Sequence, residues 1–402
     1  MFHALAYRNY RLLWITNLFS SGGNWIQQVT IGWLAFEVTG SPFKVAMVMG
    51  MRAIPMLAAP LSGLLADRFD RRRIMMIDHF ALMVIALGFA LIVLFDVLQE
   101  WHMYVFSFLT GVAWSINNPI RQVLVGNTVP RSVLMNAVAL NSLGFNTMRM
   151  IGPAFGGAMI VAFGPGVNFL LQGFLYVGVL AALVPFRADY ASAASKGPRG
   201  SFLKELGEGF RYIGQSNITL TAILLSLITT FTTMAFISTQ APVFAALVIG
   251  DDSGGALGWM LTAMGGGGFV GTVLIARFSN FQRKGLLVMV SVAGAGIMLI
   301  VMAQVETLLL TMGVIAVQQI FFNTVMITNN TIVQSITIDE MRGRVMGVYM
   351  LDIGFQPLGG VIAGILASIY SVSISWMIGG AACLVSLAVI SAFAGPFRRL
   401  RI

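Results

Sequence analysis

The sequence predicts an all-α polytopic membrane protein of twelve transmembrane helices in two six-helix repeats. Three observations predict it. The 402 residues are 57% hydrophobic and only 10% charged, with a mean hydropathy of +0.86, whereas soluble domains carry roughly 25% charged residues. So much apolar surface has no place in water, and lipid must act as the solvent. Polar clusters, Gly-Ser turns and arginine runs cut the chain into twelve stretches near the ~20 apolar residues that a spanning helix needs. Short motifs also recur in the same order in both halves.

The spans follow in order. The first, 12–37, begins past Arg8 and Arg11 and ends at Gly40-Ser41-Pro42; with Asn24, Gln27 and Gln28 inside it and no small-residue cleavage site, it is expected to be retained. The second, 43–66, stops at Asp67-Arg68, and the third, 74–96, starts beyond Arg71-Arg72-Arg73. The fourth, 103–125, precedes the Asn127–Arg131 turn, and the fifth and sixth, 136–162 and 166–186, share the turn at Gly164-Pro165. After the longest polar stretch come 217–248 and 255–278, split by Asp251-Asp252, then 285–304 and 307–332, split by Gln304–Glu306. The eleventh, 345–370, follows Arg342 and Arg344, and the twelfth, 373–395, ends before Arg398 and Arg399.

Charge placement orients these spans. With a cytoplasmic N-terminus, 20 of the 24 Lys and Arg residues fall on cytoplasmic segments and only Lys44 lies outside, against Asp96, Glu100, Asp251, Asp252 and Glu306. That is the positive-inside pattern, and it puts both termini in the cytoplasm. The net charge of +9 then faces anionic membrane lipid; no soluble basic face is left for nucleic acid. Other classes fall away. Cys383 is the only cysteine, and His3, His79 and His102 are scattered, so neither a disulfide framework nor a paired metal-ligand set is present. No Gly-Lys dipeptide occurs, so there is no Walker A loop. An enzyme, a cofactor and ATP-driven pumping are not expected.

The stretch 187–216 reads as a cytoplasmic linker between an N-terminal bundle, 1–186, and a C-terminal bundle, 217–402. Within it, Phe202, Leu206 and Phe210 share one helical face, so 201–212 is either an amphipathic surface helix or plain solvated linker. Repetition supports the two halves. Asn117-Asn118-Pro-Ile-Arg-Gln122 recurs as Asn329-Asn330-Thr-Ile-Val-Gln334. Leu-Gly-Phe145 recurs as Ile-Gly-Phe355, Pro153 with Gly156-Gly157 recurs as Pro357 with Gly359-Gly360, and Ala66-Asp-Arg-Phe69 has a partner in Ala276-Arg-Phe278. Duplicated halves in a polytopic protein point to a transporter with its site at the repeat interface.

Gly63-Leu-Leu-Ala-Asp67-Arg68-Phe-Asp-Arg71-Arg72-Arg73 resembles the signature loop of the major facilitator superfamily. Gly63 admits a neighbouring helix, Asp67 suits a helix N-terminus near 345, and Arg68, Arg71 and Arg72 suit lipid phosphate and carboxylates as a gating latch. Gly152-Pro153-Ala-Phe-Gly156-Gly157 resembles the antiporter motif of proton-coupled exporters, although Met148 stands where that motif has an earlier glycine. Gly152 and Gly156 form a small-residue face for close helix contact, and Pro153 frees a carbonyl. Arg8-Asn-Tyr-Arg11, Leu34–Pro42 and Arg342–Gly347 resemble bacterial exporters of the enterobactin, macrolide and drug group. The resemblance implies a plasma-membrane (bacterial inner membrane) transporter that exports small amphipathic molecules in exchange for protons. The alternative is a facilitator or lysolipid/siderophore transporter without obligatory proton coupling. A monomer is expected.

Charged residues inside a bilayer cost at least ~2.5–3.5 kcal/mol on the insertion scale and mark function by default. Asp352, the only acidic residue well inside a second-half span, is the candidate proton carrier; the competing reading is a fixed ion pair with Arg121 or an arginine of the 68–73 loop. Asp78 is placed near the interface. For the substrate cavity, Asn24 and Gln27 lie at a depth comparable to Arg52, and Asn146 and Arg149 share a face. Gln240, Asn323 and Gln356 supply the second half. Amides and arginines among aromatic residues suit a bulky amphipathic molecule with anionic or carbonyl groups.

Overall fold

The computed structural model describes residues 3–55, 70–187, 202–277 and 281–400; these are helical and contain no strand. In the first part of the chain the helices are α1 (Arg8–Thr39), α2 (Pro42–Met51), α3 (Arg71–Leu94), α4 (Glu100–Gly126), α5 (Leu134–Phe163) and α6 (Pro165–Leu183). Then come α7 (Phe202–Gln215), α8 (Asn217–Thr229) and α9 (Ala235–Leu247), the last two joined by a π-helical turn, Thr230–Met234. The remainder comprises α10 (Gly255–Arg277), α11 (Lys284–Met302), α12 (Leu308–Ile336), α13 (Asp339–Tyr349), α14 (Leu351–Ile369) and α15 (Val372–Phe393).

These helices lie on the expected spans to within a few residues. Eight segments among the described residues are long and apolar enough to cross a membrane. Helices α1, α4 and α5 have 32, 27 and 30 residues, long enough to span, but polar residues lower their mean hydropathy. Residues 56–69, with Gly63, Asp67 and Arg68, lie outside the described residues, as does 188–201 of the expected linker.

Helix ends follow local chemistry. The Asp70 carboxylate accepts a bond from the Arg72 backbone N–H at 3.0 Å and starts α3; Ser216 and Ser371 cap α8 and α15 in the same way. Gly40 ends α1 at φ 58, a left-handed conformation suited to glycine. Pro55 explains why α2 stops at Met51: its ring excludes helical continuation from the residues before it. The second span is therefore not one continuous helix through Arg52, which sits in a turn.

Contacts divide the chain into two compact units. The first holds Met1–Gly40, Met47–Lys196 and Gly250–Thr262. In it α1 packs on α5 and α6, and α3 on α6 and α4, around Tyr10, Leu13, Met75, Ile120, Leu124 and Leu183. The Tyr10 hydroxyl donates to the Ala137 carbonyl at 2.7 Å and Trp14 Nε1 to that of Leu140 at 2.9 Å. The second unit holds Ser41–Ala46, Gly197–Ile249 and Ala263–Ile402. There α11 packs on α12 and α15, and α9 on α14, around Ala222, Leu225, Val288, Val292, Val333 and Phe397.

Of the two readings for 201–212, the helix is the one present. Ile213, seven residues after Leu206 and so on the expected face, is buried, whereas Phe210 is exposed. Helix α7 lies against α13, where Glu208 and Arg344 pair at 2.9 Å with both side chains over a third exposed. Solvent screens such a pair, so Glu208→Gln should lower stability by less than about 1 kcal/mol, a barely measurable change in thermal midpoint.

Candidate functional site

Helix α1 carries Asn17, Ser20, Ser21, Asn24 and Gln27 at steps of three and four, which places them on one face. Within apolar helices each needs a polar partner, and the first unit supplies them from five other elements. Asn17 Nδ2 donates to the Asn141 carbonyl on α5 at 2.9 Å, and Asn17 Oδ1 accepts from Arg121 Nη1 on α4 at 2.7 Å. Ser20 Oγ lies 3.3 Å from His79 Nε2 on α3. Asn24 Oδ1 accepts from Arg52 Nη2. Gln27 Nε2 donates to Thr110 Oγ1 on α4 at 3.1 Å, while Gln27 Oε1 accepts from Gln172 on α6 at 2.6 Å.

The interruption after α2 aims Arg52 into this face. Its guanidinium carbon also sits 5.5 Å from the Trp114 ring centroid, a cation–π distance. A Cβ at Gly111 would collide with the Arg52 carbonyl oxygen, so glycine there admits the turn against α4. Irregular backbone within a span is tolerated where it is buried in protein or lines a cavity. Here a small cavity is lined by Arg52, Ser20, Asn24, Gln27, Leu82, Thr110, Trp114, Asn117 and Tyr176. Asn24, Gln27 and Arg52, expected at similar depth, are thus brought together.

The other first-half candidates are placed differently. Asn146 Nδ2 donates to the Ser142 carbonyl of its own helix at 2.9 Å. Arg149 lies 5.7 Å from the Trp25 ring centroid, and its Nε is buried without a hydrogen-bond partner. The glycine motif does what its spacing implies. A Cβ on Gly152 would lie 2.8 Å from Trp25 Cβ, and one on Gly156 3.3 Å from Ile26 Cα, so α5 and α1 touch almost backbone to backbone. Gly157 faces elsewhere, its Cβ position 2.9 Å from Gly258 Cα on α10, and Pro153 lies within α5. At Met148, where the resembled motif has glycine, the bulk is met by a glycine on the partner helix: a Cβ on Gly22 would be 3.4 Å from Met148 Sδ.

In the second unit Asp352 occupies the first turn of α14. Its Oδ2 accepts from Thr230 Oγ1 at 2.9 Å, and its Oδ1 is buried with no hydrogen-bond partner. Thr230 opens the π-helical turn Thr230–Met234, a distortion frequent at functional sites. The amides serve helix contacts. Gln240 donates to Ser375 at 3.0 Å, Gln356 to Ser238 at 3.2 Å, and Asn323 to the Gln319 carbonyl at 3.0 Å.

Of the gating-loop residues, Arg71 and Arg72 open α3. Where the sequence pointed to lipid phosphate, Arg72 instead donates Nε to the Leu183 carbonyl at 3.0 Å and Nη2 to that of Val184. A cation at the carbonyl end of α6 suits the helix dipole, so Arg72→Ala should cost about 0.5–2 kcal/mol, seen as a lower thermal midpoint in detergent.

Sequence reasoning missed a buried cluster. Asp78, placed at the interface, is buried, and its Oδ2 accepts from Asn117 Nδ2 at 2.9 Å. His79, Arg121, Gln172 and Tyr176 complete the surroundings. Two signals were available: the polar stripe on α1, and the Asp-His pair within an apolar run.

The family described as "Transmembrane secretion effector" (MFS_3) matches residues 1–398. The multidrug efflux pump Tap of Mycolicibacterium fortuitum is 26% identical over 368 residues, covering 89% of this chain and 88% of Tap. The enterobactin exporter EntS of Citrobacter koseri is 23% identical over 370 residues, covering 92% and 84%. Among solved structures, an aspartate-to-alanine mutant of the nucleoside transporter NupG superposes with a TM-score of 0.80 at 13% identity, covering 96% of this chain and 99% of that one. That likeness shows the fold. The match over nearly the whole length, on a helical multi-pass chain, assigns this protein to the transmembrane secretion effector family of the major facilitator superfamily, and makes it a membrane transporter rather than an enzyme.

Proposed function

We propose that this transporter is a proton-coupled secondary exporter of small amphipathic molecules that works by alternating access. The observation that carries this reading is the cluster of buried polar side chains gathered at the interrupted second span, around a cavity that in this conformation has room for about one water. Arg52, Asn24 and Gln27 offer charge and amide contacts there, and Trp114 offers an apolar face. Such a lining suits a molecule with an aromatic or aliphatic body and anionic or carbonyl groups. Export is supported by relatives named as an efflux pump and an exporter.

In this reading the six-helix halves, 1–186 and 217–402, rock about a central site with 187–216 as the linker between them. The protein works as a monomer in the bacterial inner membrane, termini in the cytoplasm, with anionic lipid at its cytoplasmic arginines. Asp352 carries a proton on the second half: a buried carboxylate with one bonded and one unpartnered oxygen can exchange a proton without first breaking an ion pair.

The test is uptake of a dye and drug panel, including norfloxacin with its aromatic body, carboxylate and ketone, into inside-out membrane vesicles with an acid lumen. A gradient of about two pH units is worth about 2.7 kcal/mol per proton exchanged, enough for about hundredfold accumulation. Accumulation that vanishes when the gradient is collapsed is expected. Substrate movement indifferent to the gradient would replace the exporter by a facilitator.

A further inference from the structure

We propose that Asp78 is a second proton-binding residue, on the first unit, and that Arg121 is the counter-charge that takes the proton's place. The proposal rests on the proton-coupled reading above and adds to it a site of uptake next to the polar cavity.

The groups facing Asp78 come from each helix around it. On its own helix, His79 Nδ1 lies 3.7 Å from Asp78 Oδ2 and 2.9 Å from the Met75 carbonyl. From α4, Asn117 donates to Asp78 at 2.9 Å, and Arg121 follows one turn further on the same helix face. From α6 comes Tyr176, whose ring lies 5.8 Å from that of His79. From α1 come Asn17 and Ser20, both uncharged. The arrangement is poised rather than closed. Arg121 uses Nη1 on Asn17, while its Nε and Nη2 are buried without hydrogen-bond partners. A buried guanidinium with two unused donors is costly, and a carboxylate is the partner that would relieve it.

The internal repeat shows that the fold does not need these charges. Asp78 and His79 are the eighth and ninth residues of α3; the eighth and ninth of α11 are Ser291 and Val292. Arg121 in Asn-Asn-Pro-Ile-Arg-Gln corresponds to Val333 in Asn-Asn-Thr-Ile-Val-Gln. Val292 and Val333 are fully buried in the apolar core of the second unit. The same helices thus pack with serine and valine in one half and with a carboxylate, an imidazole and a guanidinium in the other. Charges kept inside a membrane bundle at such cost mark proton or ion paths.

The exchange is a simple one. The Asp78 carboxylate takes one proton to become a carboxylic acid and releases Arg121 to Asn17; loss of the proton restores the carboxylate, which draws Arg121 back. Asn117 and Ser20, which contact Asp78 and His79, also line the cavity with Arg52. The switch and the Arg52 cavity therefore share side chains.

The test uses the full chain and two variants, D78N and the triple variant D78S/H79V/R121V, which copies the second half and leaves no buried charge unpaired. Gradient-driven norfloxacin uptake into inside-out vesicles is expected to fall at least about tenfold in both, while norfloxacin exchange at zero gradient persists. Infrared difference spectra over a pH titration supply a reading independent of transport. D78N is expected to lose a protonated-carboxyl component that wild type and D352N both retain, whereas D352N loses the separate component that belongs to Asp352. Wild-type uptake and an unchanged band in D78N would overturn the proposal. So would failure of both variants to fold, since the charges would then be structural. Wild-type uptake indifferent to the gradient would refute the coupled-export reading itself; the infrared band distinguishes that failure from a misassigned residue.

Discussion

Gly152→Leu is expected to abolish stable folding of the first unit. Even a Cβ at this position would lie 2.8 Å from Trp25 Cβ, closer than side chains pack, and the neighbouring Gly156 position is 3.3 Å from Ile26 Cα. Leucine adds three carbons beyond that first clash, and neither partner can yield cheaply because the obstruction lies at the root of Trp25 rather than its tip. Forcing extra carbons into packed interiors costs typically ~1–3 kcal/mol and more where backbones must separate, against a total stability of about 5–15 kcal/mol. The displacement would spread, since the Trp25 ring lies 5.9 Å from Phe145 and 5.7 Å from the Arg149 guanidinium. Gly156→Ala meets a looser gap and should cost less. Fluorescence-detected size exclusion and thermal melting of the detergent-solubilised variants check this: a Gly152→Leu protein that elutes and melts like wild type would show that α1 and α5 need not touch.

Asp352→Asn is expected to lower gradient-driven accumulation about tenfold or more while leaving the protein folded. The substitution keeps shape, keeps an oxygen for the Thr230 hydroxyl at the position now bonded at 2.9 Å, and removes only the capacity to bind and release a proton. Exchange at zero gradient needs no net proton movement and should survive. Thr230→Val provides a control in the other direction, deleting the donor while keeping the carboxylate, and should retain coupling with an altered pH profile. Full gradient-driven uptake by Asp352→Asn at matched expression would make the carboxylate structural.

The spans were readable because lipid imposes one solution, a run of apolar residues ended by charge or turn chemistry. The meeting of Asn24 with Arg52 was also readable, from depth counted along α1 and the second span. What the count could not see was the break at Arg52, although Pro55 was in view; a proline inside an apolar run is read as a bend until the neighbouring helix is known, and here Gly111 on α4 makes room for the turn.

Asp78 was misplaced for a related reason. It stands five residues past the Arg71–Arg73 run, close enough to suggest water, but Asn117 from another helix satisfies it and the bundle closes over both. Helix α7 shows the limit of pattern counting on short amphipathic segments: Phe210 is exposed, while Ile213, seven residues after Leu206 and on the same face, is buried. Arg72 likewise found backbone carbonyls at the end of α6, acceptors that have no signature in sequence. The Asn-Asn repeat was visible, but its two copies do different work, Asn117 holding a carboxylate and Asn329 bonding the Ala222 carbonyl and Ser226.

The central claim, that solute moves one way as protons move the other, is tested most directly with purified protein in liposomes carrying a pH-sensitive dye in an acidified lumen. Norfloxacin added outside should enter and raise the lumenal pH together, and both signals should disappear when the gradient is collapsed beforehand. Norfloxacin entry with no change in lumenal pH beyond that of protein-free liposomes would contradict proton-coupled export.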